Sequence, residues 1–330
     1  RAAAATDAAS LAGIAAGCVA EWEAPVQARL DATFAEMTSV YLDLPAEARA
    51  PSLALHRRLV QPFFLGSPFC RRAVDKPLGY AGDFGLVEMI FAGREEAVTP
   101  LGALLGAYAL GAGPSAAHRG RAPWAHRVLD AHVRERGLDR PRILSFACGP
   151  EVVLREWVRG GADAEIVLAD HDADALAWAK KRLLKARTRA STTTVTTVEA
   201  NAFSLLRGVP VEEVLGGETG FDAVLVLGLL DYLDDAQVVG FLRGLAGTLR
   251  PGGVLFASNL HVTNPWRSLM ELTSDWTVAH RGVTDFEDLV RATGVLTEPR
   301  TILHESGTNL YCVARVADGS APTEGGVHGL

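Results

Sequence analysis

The segment from Ile143 to Asp172 constrains the fold more than any other part of the chain. Ile143-Leu-Ser-Phe-Ala-Cys-Gly-Pro150 is an apolar run that ends in a Gly-Pro turn. Glu151 to Arg159 has a helix-like pattern, and Glu165-Ile-Val-Leu-Ala-Asp170 is a second apolar run that ends in an acid. A buried strand, a glycine turn, a helix and a second strand make one βαβ unit. In such units the chemistry sits at the carboxyl ends of the strands. Gly149 carries no Cβ and lets backbone come close to a ligand. Asp170 follows it at about 20 residues, the distance at which an acid grips ribose hydroxyls. The unit reads as a site for a nucleoside-bearing cofactor.

A dinucleotide site requires G-x-G-x-x-G, so that a pyrophosphate rests on the helix N-terminus. The corresponding span here, Ala147-Cys-Gly-Pro-Glu-Val152, has one glycine and puts Glu151 at the helix entrance. A carboxylate there repels a pyrophosphate and suits a cationic group. S-adenosyl-L-methionine fits, with adenosine, no phosphate, a sulfonium and an ammonium. The bland alternative is a plain strand-to-helix connection of an unrelated α/β domain.

Length and composition narrow the class. The 330 residues, 48% of them hydrophobic, can bury one large core or two smaller ones. A net charge of −7 gives no footprint for nucleic acid or an anionic membrane. The basic cluster Lys180-Lys-Arg182 with Lys185 and Arg187 lies on a helical pattern, as its solvated face. Cys18, Cys70, Cys148 and Cys312 are scattered without metal-ligand spacing, so no metal is expected. Reduced thiols and a cytoplasmic location follow. No run of about 18 apolar residues exists, so no transmembrane helix is expected. The alanine-rich start, which faintly resembles a lipoprotein leader at Ala15-Ala-Gly-Cys18, is expected to be a helix of the mature protein. The chain starts without Met, as a trimmed protein does.

Residues 1–120 read as a helical region, with amphipathic spacing at Leu30, Phe34, Met37 and Val40. Gln61 to Pro68 breaks it with two prolines, Gly79-Tyr-Ala-Gly-Asp83 is turn-rich, and Gly111-Ala-Gly-Pro-Ser115 is a candidate linker. A helix from Pro123 to Arg136 leads into the first strand. Strand and helix then alternate over residues 121–318: Arg142–Phe146, Glu151–Arg159, Glu165–Ala169, Ala173–Ala186, Thr194–Ala200, Phe221–Leu227, Asp234–Leu249 and Val254–Ser258. This is an α/β fold with a doubly wound, mostly parallel sheet of seven strands. A mostly helical insertion is expected over about 259–292. Arg300–His304 and Asn309–Arg315 make a closing hairpin, and 319–330 is expected to be a disordered tail.

The cofactor-side candidates are Ala147, Cys148 and Gly149 for backbone contact to the methionine part, Glu151 at the helix entrance, and Asp170 for the ribose. His171 stands near adenine, Asn201 offers its carboxamide to the adenine edge, and Gly228 starts the loop that closes over the cofactor. Each has a plainer reading: Asn201 as a strand-end residue, Asp170 as a cap for the helix from Ala173. Their order and spacing make the set specific.

The blocks Gly79-Tyr-Ala-Gly-Asp83, Ser145-Phe-Ala-Cys-Gly-Pro150, Gly228-Leu-Leu-Asp-Tyr-Leu233 and Asp275-Trp276 with Arg281 carry a family resemblance. Residues 140–258 resemble a class I S-adenosylmethionine-dependent methyltransferase. Over 55–315 the chain resembles the bacterial methyltransferases of 3-hydroxypalmitic acid methyl ester (extracellular factor) biosynthesis. Ser145 and Ala147 depart from the acid and first glycine usual in that turn, and Glu151 from its last glycine. The methionine end is therefore held differently.

Substrate-side candidates come from outside the sheet: Tyr80 and Asp83, on a glycine-flanked turn, and Asn259, Arg267, Glu271 and Arg281. Asp83 also reads as a cap for a helix from Leu86, and Arg267–Glu271 as a surface i,i+4 pair. A carboxylate nucleophile needs no base, only an arginine to orient it. An amine or hydroxyl needs a base or a carboxylate partner. The expectation is methyl transfer to a small molecule, with the helical region covering the active site. By resemblance the substrate is a carboxylic acid such as a hydroxy fatty acid. N-methylation of an amino acid or natural-product amine, and a non-catalytic cofactor-binding regulator, stay open. The oligomeric state is not specified.

Overall fold

The apolar runs become strands β1 (Arg142–Phe146), β2 (Glu165–Asp170), β3 (Thr194–Glu199), β4 (Phe221–Val226) and β5 (Leu249–His261). The strands β6 (His280–Arg281), β7 (Leu296–Leu303) and β8 (Asn309–Val316) follow. The computed structural model describes residues 8–97 and 99–318, with side chains from residue 13 onward. The tail at 319–330 lies outside the described residues. The sheet runs β3-β2-β1-β4-β5-β8-β7, with β6 paired to β5. Strands β1 to β5 pair in parallel, Leu144 opposite Val167 and Val224, and Leu225 opposite Phe256. Parallel strands are covered on both faces, which is why Ile143, Leu144, Val167, Val224 and Phe256 are all buried. Strands β7 and β8, neighbours joined by residues 304–308, pair antiparallel, the sense a short hairpin connection allows.

The chain divides into two compact units. Among the described residues, the sheet unit holds 125–259, 281–302 and 311–318; the helical unit holds those up to Trp124 with 260–280 and 303–310. Within the sheet unit, helix Asp235–Ala246 opens with a capping box between Asp234 and Gln237. Helix Ala173–Ala186 is capped by Asp172, whose carboxylate accepts from the N–H groups of Asp174 and Ala175.

Within the helical unit, helices Ala8–Asp43, Gln61–Phe64 and Pro100–Gly111 supply an aromatic centre. Phe34 meets Phe64 edge-on at 6.0 Å and stacks on Tyr108 at 5.9 Å. Pro25 and Pro51 lie inside helices rather than ending them. Among the described residues, no helix is long and apolar enough to cross a membrane.

Two sequence expectations are corrected. The candidate linker at 111–115 is a one-residue break: helix Pro100–Gly111 gives way at Ala112 to helix Gly113–Arg136. A proline normally marks a boundary, but here Pro123 lies inside the helix and the buried Ala117, Ala122, Trp124 and Leu129 on either side hold it continuous. The insertion after β5 is not mostly helical. β5 extends to His261, a π turn covers Leu269–Thr273, and residues 275–279 have no regular structure. Its final helix, Val283–Ala292, belongs to the sheet unit.

One close approach is testable. A Cβ on Gly102 would lie 2.3 Å from the Gly66 carbonyl oxygen, a backbone atom with little freedom to move. Gly102→Ala is expected to destabilise the protein by about 1–3 kcal/mol, as overpacking does. Urea denaturation reads this directly, and an unchanged midpoint would contradict the contact.

Candidate cofactor and substrate sites

The turn after β1 is built from unusual backbone. Ala147, Gly149 and Glu151 have φ of 51°, 51° and 44°. A left-handed conformation costs a non-glycine residue about 1–3 kcal/mol and persists only where its surroundings impose it. Here hydrogen bonds impose it. The Cys148 N–H donates to the Ala169 carbonyl at 3.3 Å, and the Gly149 N–H donates to Asp170 Oδ2 at 2.8 Å. A Cβ placed on Gly149 would meet nothing within 4 Å, so this face of the turn is open.

Glu151 is the N-cap of helix Val152–Arg159, and its Oε1 accepts from the Leu154 N–H at 2.9 Å. The side chain is buried, which raises its pKa; a hydrogen bond from Ser145 and the nearby Arg155 pull it back. The carboxylate missing from position 145 is thus returned from position 151 to meet the Ser145 hydroxyl. This corrects the expectation that Glu151 greets a cationic ligand: its carboxylate points into the protein. The reading against a pyrophosphate is supported on firmer ground, because the helix N-terminus is already closed by the chain's own anion. Burial first, and then Asp170 and Glu151, raise the Cys148 thiol pKa well above the usual range, which disfavours the thiolate.

Asp170 is buried at the end of β2. Besides Gly149, it accepts from the Asp172 N–H at 3.1 Å, and its Oδ1 lies 3.1 Å from His171 Nδ1. That pairing, foremost as a hydrogen bond, raises the His171 pKa. Capping of the following helix falls to Asp172, which leaves Asp170 as the hub of the turn. A carboxylate has about four lone-pair positions; Asp172 and His171 occupy Oδ1 and Gly149 one position on Oδ2, so one site is open to a hydroxyl donor and a second opens when His171 turns away. The Ala200 N–H donates to the Asp170 carbonyl at 2.8 Å, which sets Asn201 beside the same strand end. The Asn201 carboxamide oxygen caps helix Ala202–Leu206 through the Phe203 N–H, the plainer of its two readings. Gly228, with φ of 103°, opens the loop after β4.

Arg281 is corrected as a substrate clamp. It is buried, and its guanidinium donates to Asn259 Oδ1 at 2.6 Å, to the carbonyls of Leu230 and Leu233, and to Asp235 at 2.9 Å. It braces the loop after β4 against the end of β5, and Asn259 is its partner there.

The other substrate-side candidates form separate groups in the helical unit. Asp83 is almost fully buried; it caps helix Phe84–Ala92 through the Leu86 N–H and pairs with Arg72 at 2.8 Å. The capped-helix reading holds, and Asp83 fixes the turn that carries Tyr80 instead of facing a ligand. Arg267 and Glu271 pair at 2.6 Å, but Glu271 is 4% exposed, so this is no surface bridge. The Glu271 carboxylate also raises the Tyr41 pKa, after burial of the phenol itself. Asp275, in left-handed backbone, pairs with Arg57 at 2.5 Å and Lys76 at 3.3 Å. Asp172, Tyr41 and Arg72 were not picked out from sequence. Tyr41 meets Glu271 far along the chain, Arg72 meets Asp83 across a turn, and Asp172 is a cap indistinguishable from other acids.

No family model matches the chain. A ubiquinone biosynthesis O-methyltransferase from Methylocella silvestris is 30% identical over 154 residues, 43% of this chain and 53% of that protein. The chain thus spans about half the length of the curated relative it matches. A solved structure of a possible exported protein from Bordetella parapertussis aligns with a TM-score of 0.58 and 20% identity, over 83% of this chain and 99% of that one. It shares the fold. A magnesium protoporphyrin IX methyltransferase from Synechocystis PCC 6803, solved with bound SAH, aligns over 62% of this chain and 84% of its own. Its TM-score is 0.46 and its identity 12%, too loose a likeness to build on.

Proposed function

We propose that this chain is an S-adenosylmethionine-dependent methyltransferase of small molecules, and that its substrate is a carboxylic acid, such as a hydroxy fatty acid, converted to its methyl ester. The turn at 147–151 carries this reading. It joins an open glycine face, a buried acid at the end of β2 and a helix N-terminus closed to phosphate. These residues fit a nucleoside that bears no phosphate. When bound, S-adenosylmethionine supplies an activated methyl group on a sulfonium, which leaves with the sulfur keeping the electron pair.

Asp170 would hold the ribose hydroxyls, and the backbone of Ala147 to Gly149 the methionine end. Transfer to a carboxylate removes no proton, so the protein's work is to orient the nucleophile and exclude water. Arg267 is our choice for that orientation, because Glu271 fixes its Nε and leaves the other face of the fork for a carboxylate. An ammonium substrate finds less support. Glu271 and Asp275, the carboxylates that would hold it, are already paired with arginine and lysine. The extracellular-factor methyltransferases that the sequence resembles suggest the acid class, and we place the protein in the cytoplasm.

Arg267→Met is expected to raise KM for an acid and lower kcat/KM by about 10-fold to 100-fold, as charge pairing and orientation are both lost. Steady-state kinetics with fatty and hydroxy fatty acids, and product identification by mass spectrometry, test it. Robust N-methylation with a silent Arg267 variant would overturn the acid reading.

A further inference from the structure

In the helical unit, helix Ala46–Leu59 and the short helix Gln61–Phe64 continue one track. Val60 between them keeps helical backbone, and its N–H donates to the His56 carbonyl at 2.8 Å. One side of the track faces the protein. His56 Nε2 lies 2.9 Å from Thr273 Oγ1, the Gln61 carboxamide donates to the Thr273 carbonyl at 2.8 Å, and Phe64 is buried. An outer side carries Leu55, Leu59 and Phe63, which are 50%, 55% and 59% exposed. Single exposed apolar residues are ordinary. Three of them at successive i,i+4 positions make a stripe. Cations frame it. Arg58, exposed, has no hydrogen-bond or ion-pair partner among the described residues. Arg71, exposed, donates to the Leu65 carbonyl at 2.6 Å, two residues past Phe63. Arg57 is already paired with Asp275. Between Glu47 and Asp75 the sequence holds five arginines and no acid, so the net charge of −7 over the whole chain hides a local excess of the opposite sign.

We propose that this face docks the protein on an anionic lipid surface, with Leu55, Leu59 and Phe63 entering the boundary between headgroups and acyl chains and Arg58 and Arg71 meeting lipid phosphates. The docking is independent of the methyl-transfer reading. A helix with apolar and basic residues exposed together lies in the plane of the interface and needs no membrane-crossing segment. The hydrocarbon stem of Arg58 can follow the stripe while its guanidinium reaches the phosphates. The arrangement selects this partner over two others. Nucleic acid would use the arginines and leave three apolar side chains in water. A second copy of the chain would set the same patch on both sides of a two-fold contact, where the arginines repel.

Co-sedimentation of the full chain with lipid vesicles tests the proposal. Vesicles of roughly one part phosphatidylglycerol to two parts phosphatidylcholine should bind it about 10-fold or more tightly than phosphatidylcholine alone. Raising the salt from about 0.05 M to about 0.5 M should remove most of that difference. Arg58→Glu and Phe63→Ser should each weaken binding to the anionic vesicles by about 10-fold. Both side chains are exposed, so thermal melting should be unchanged and the loss is not one of folding. Arg189→Glu makes the same charge change on an exposed residue of the sheet unit and should leave binding as it is. No binding to anionic vesicles, equal binding to neutral ones, undiminished binding in both variants, or an equal loss from Arg189→Glu would overturn the proposal. So would a dimer in solution that Phe63→Ser dissolves, since the stripe would then be a contact between copies.

Discussion

Asp170→Ala weakens S-adenosylmethionine binding by roughly 100-fold or more. Two ribose hydroxyls would lose a charged acceptor, at about 1.5–3 kcal/mol for each bond; about 3 kcal/mol in total is already more than 100-fold. The turn suffers as well. The Gly149 N–H loses the carboxylate that holds it at 2.8 Å, and the left-handed backbone of residues 147–151 loses one of its constraints. Asp170→Asn keeps an acceptor oxygen without the charge and should fall between. Calorimetric titration of both variants, with thermal melting to confirm that they fold, measures this. Unchanged affinity in the Ala variant would remove Asp170 from the cofactor site.

The second large effect is on stability. Arg281→Met leaves the carbonyls of Leu230 and Leu233 and the Asn259 side chain without their donor. Breaking a buried charged network from one side costs about 3–5 kcal/mol. Arg281→Lys should recover only part, because a single ammonium does not reproduce a planar fork. Chemical denaturation reads the loss. A stable Arg281→Met variant with a raised substrate KM would restore Arg281 as a substrate clamp.

The sheet was legible in the sequence because its signals are local. A buried parallel strand is a short apolar run: Arg142–Phe146 matches its observed ends and Glu165–Ala169 stands within a residue of them. The turn at Gly149 and the acid at Asp170 followed from spacing alone, and the structure joins them by one hydrogen bond. What the sequence hid depends on partners far along the chain. Arg281 looks like any exposed arginine until Leu230, Leu233, Asn259 and Asp235 converge on it. Arg267 and Glu271 have the spacing of a surface pair, and only burial of Glu271 separates them from one. Pro123 misled for the opposite reason: a strong local signal was overridden by packing along a helix that begins ten residues earlier, at Gly113. Asp83 shows the limit at a cap, where one residue type serves helix starts and ligand sites equally well.

The most direct test of the central claim is transfer of a labelled methyl group. The purified protein is incubated with methyl-labelled S-adenosylmethionine and 3-hydroxyhexadecanoic acid, beside an Asp170→Ala control, and the products are read by mass spectrometry. The account predicts S-adenosylhomocysteine together with an ester that carries the label on its carboxyl oxygen, and no such ester from the control. Label found on nitrogen or on the hydroxyl oxygen, or no binding of S-adenosylmethionine by the intact protein, would contradict it.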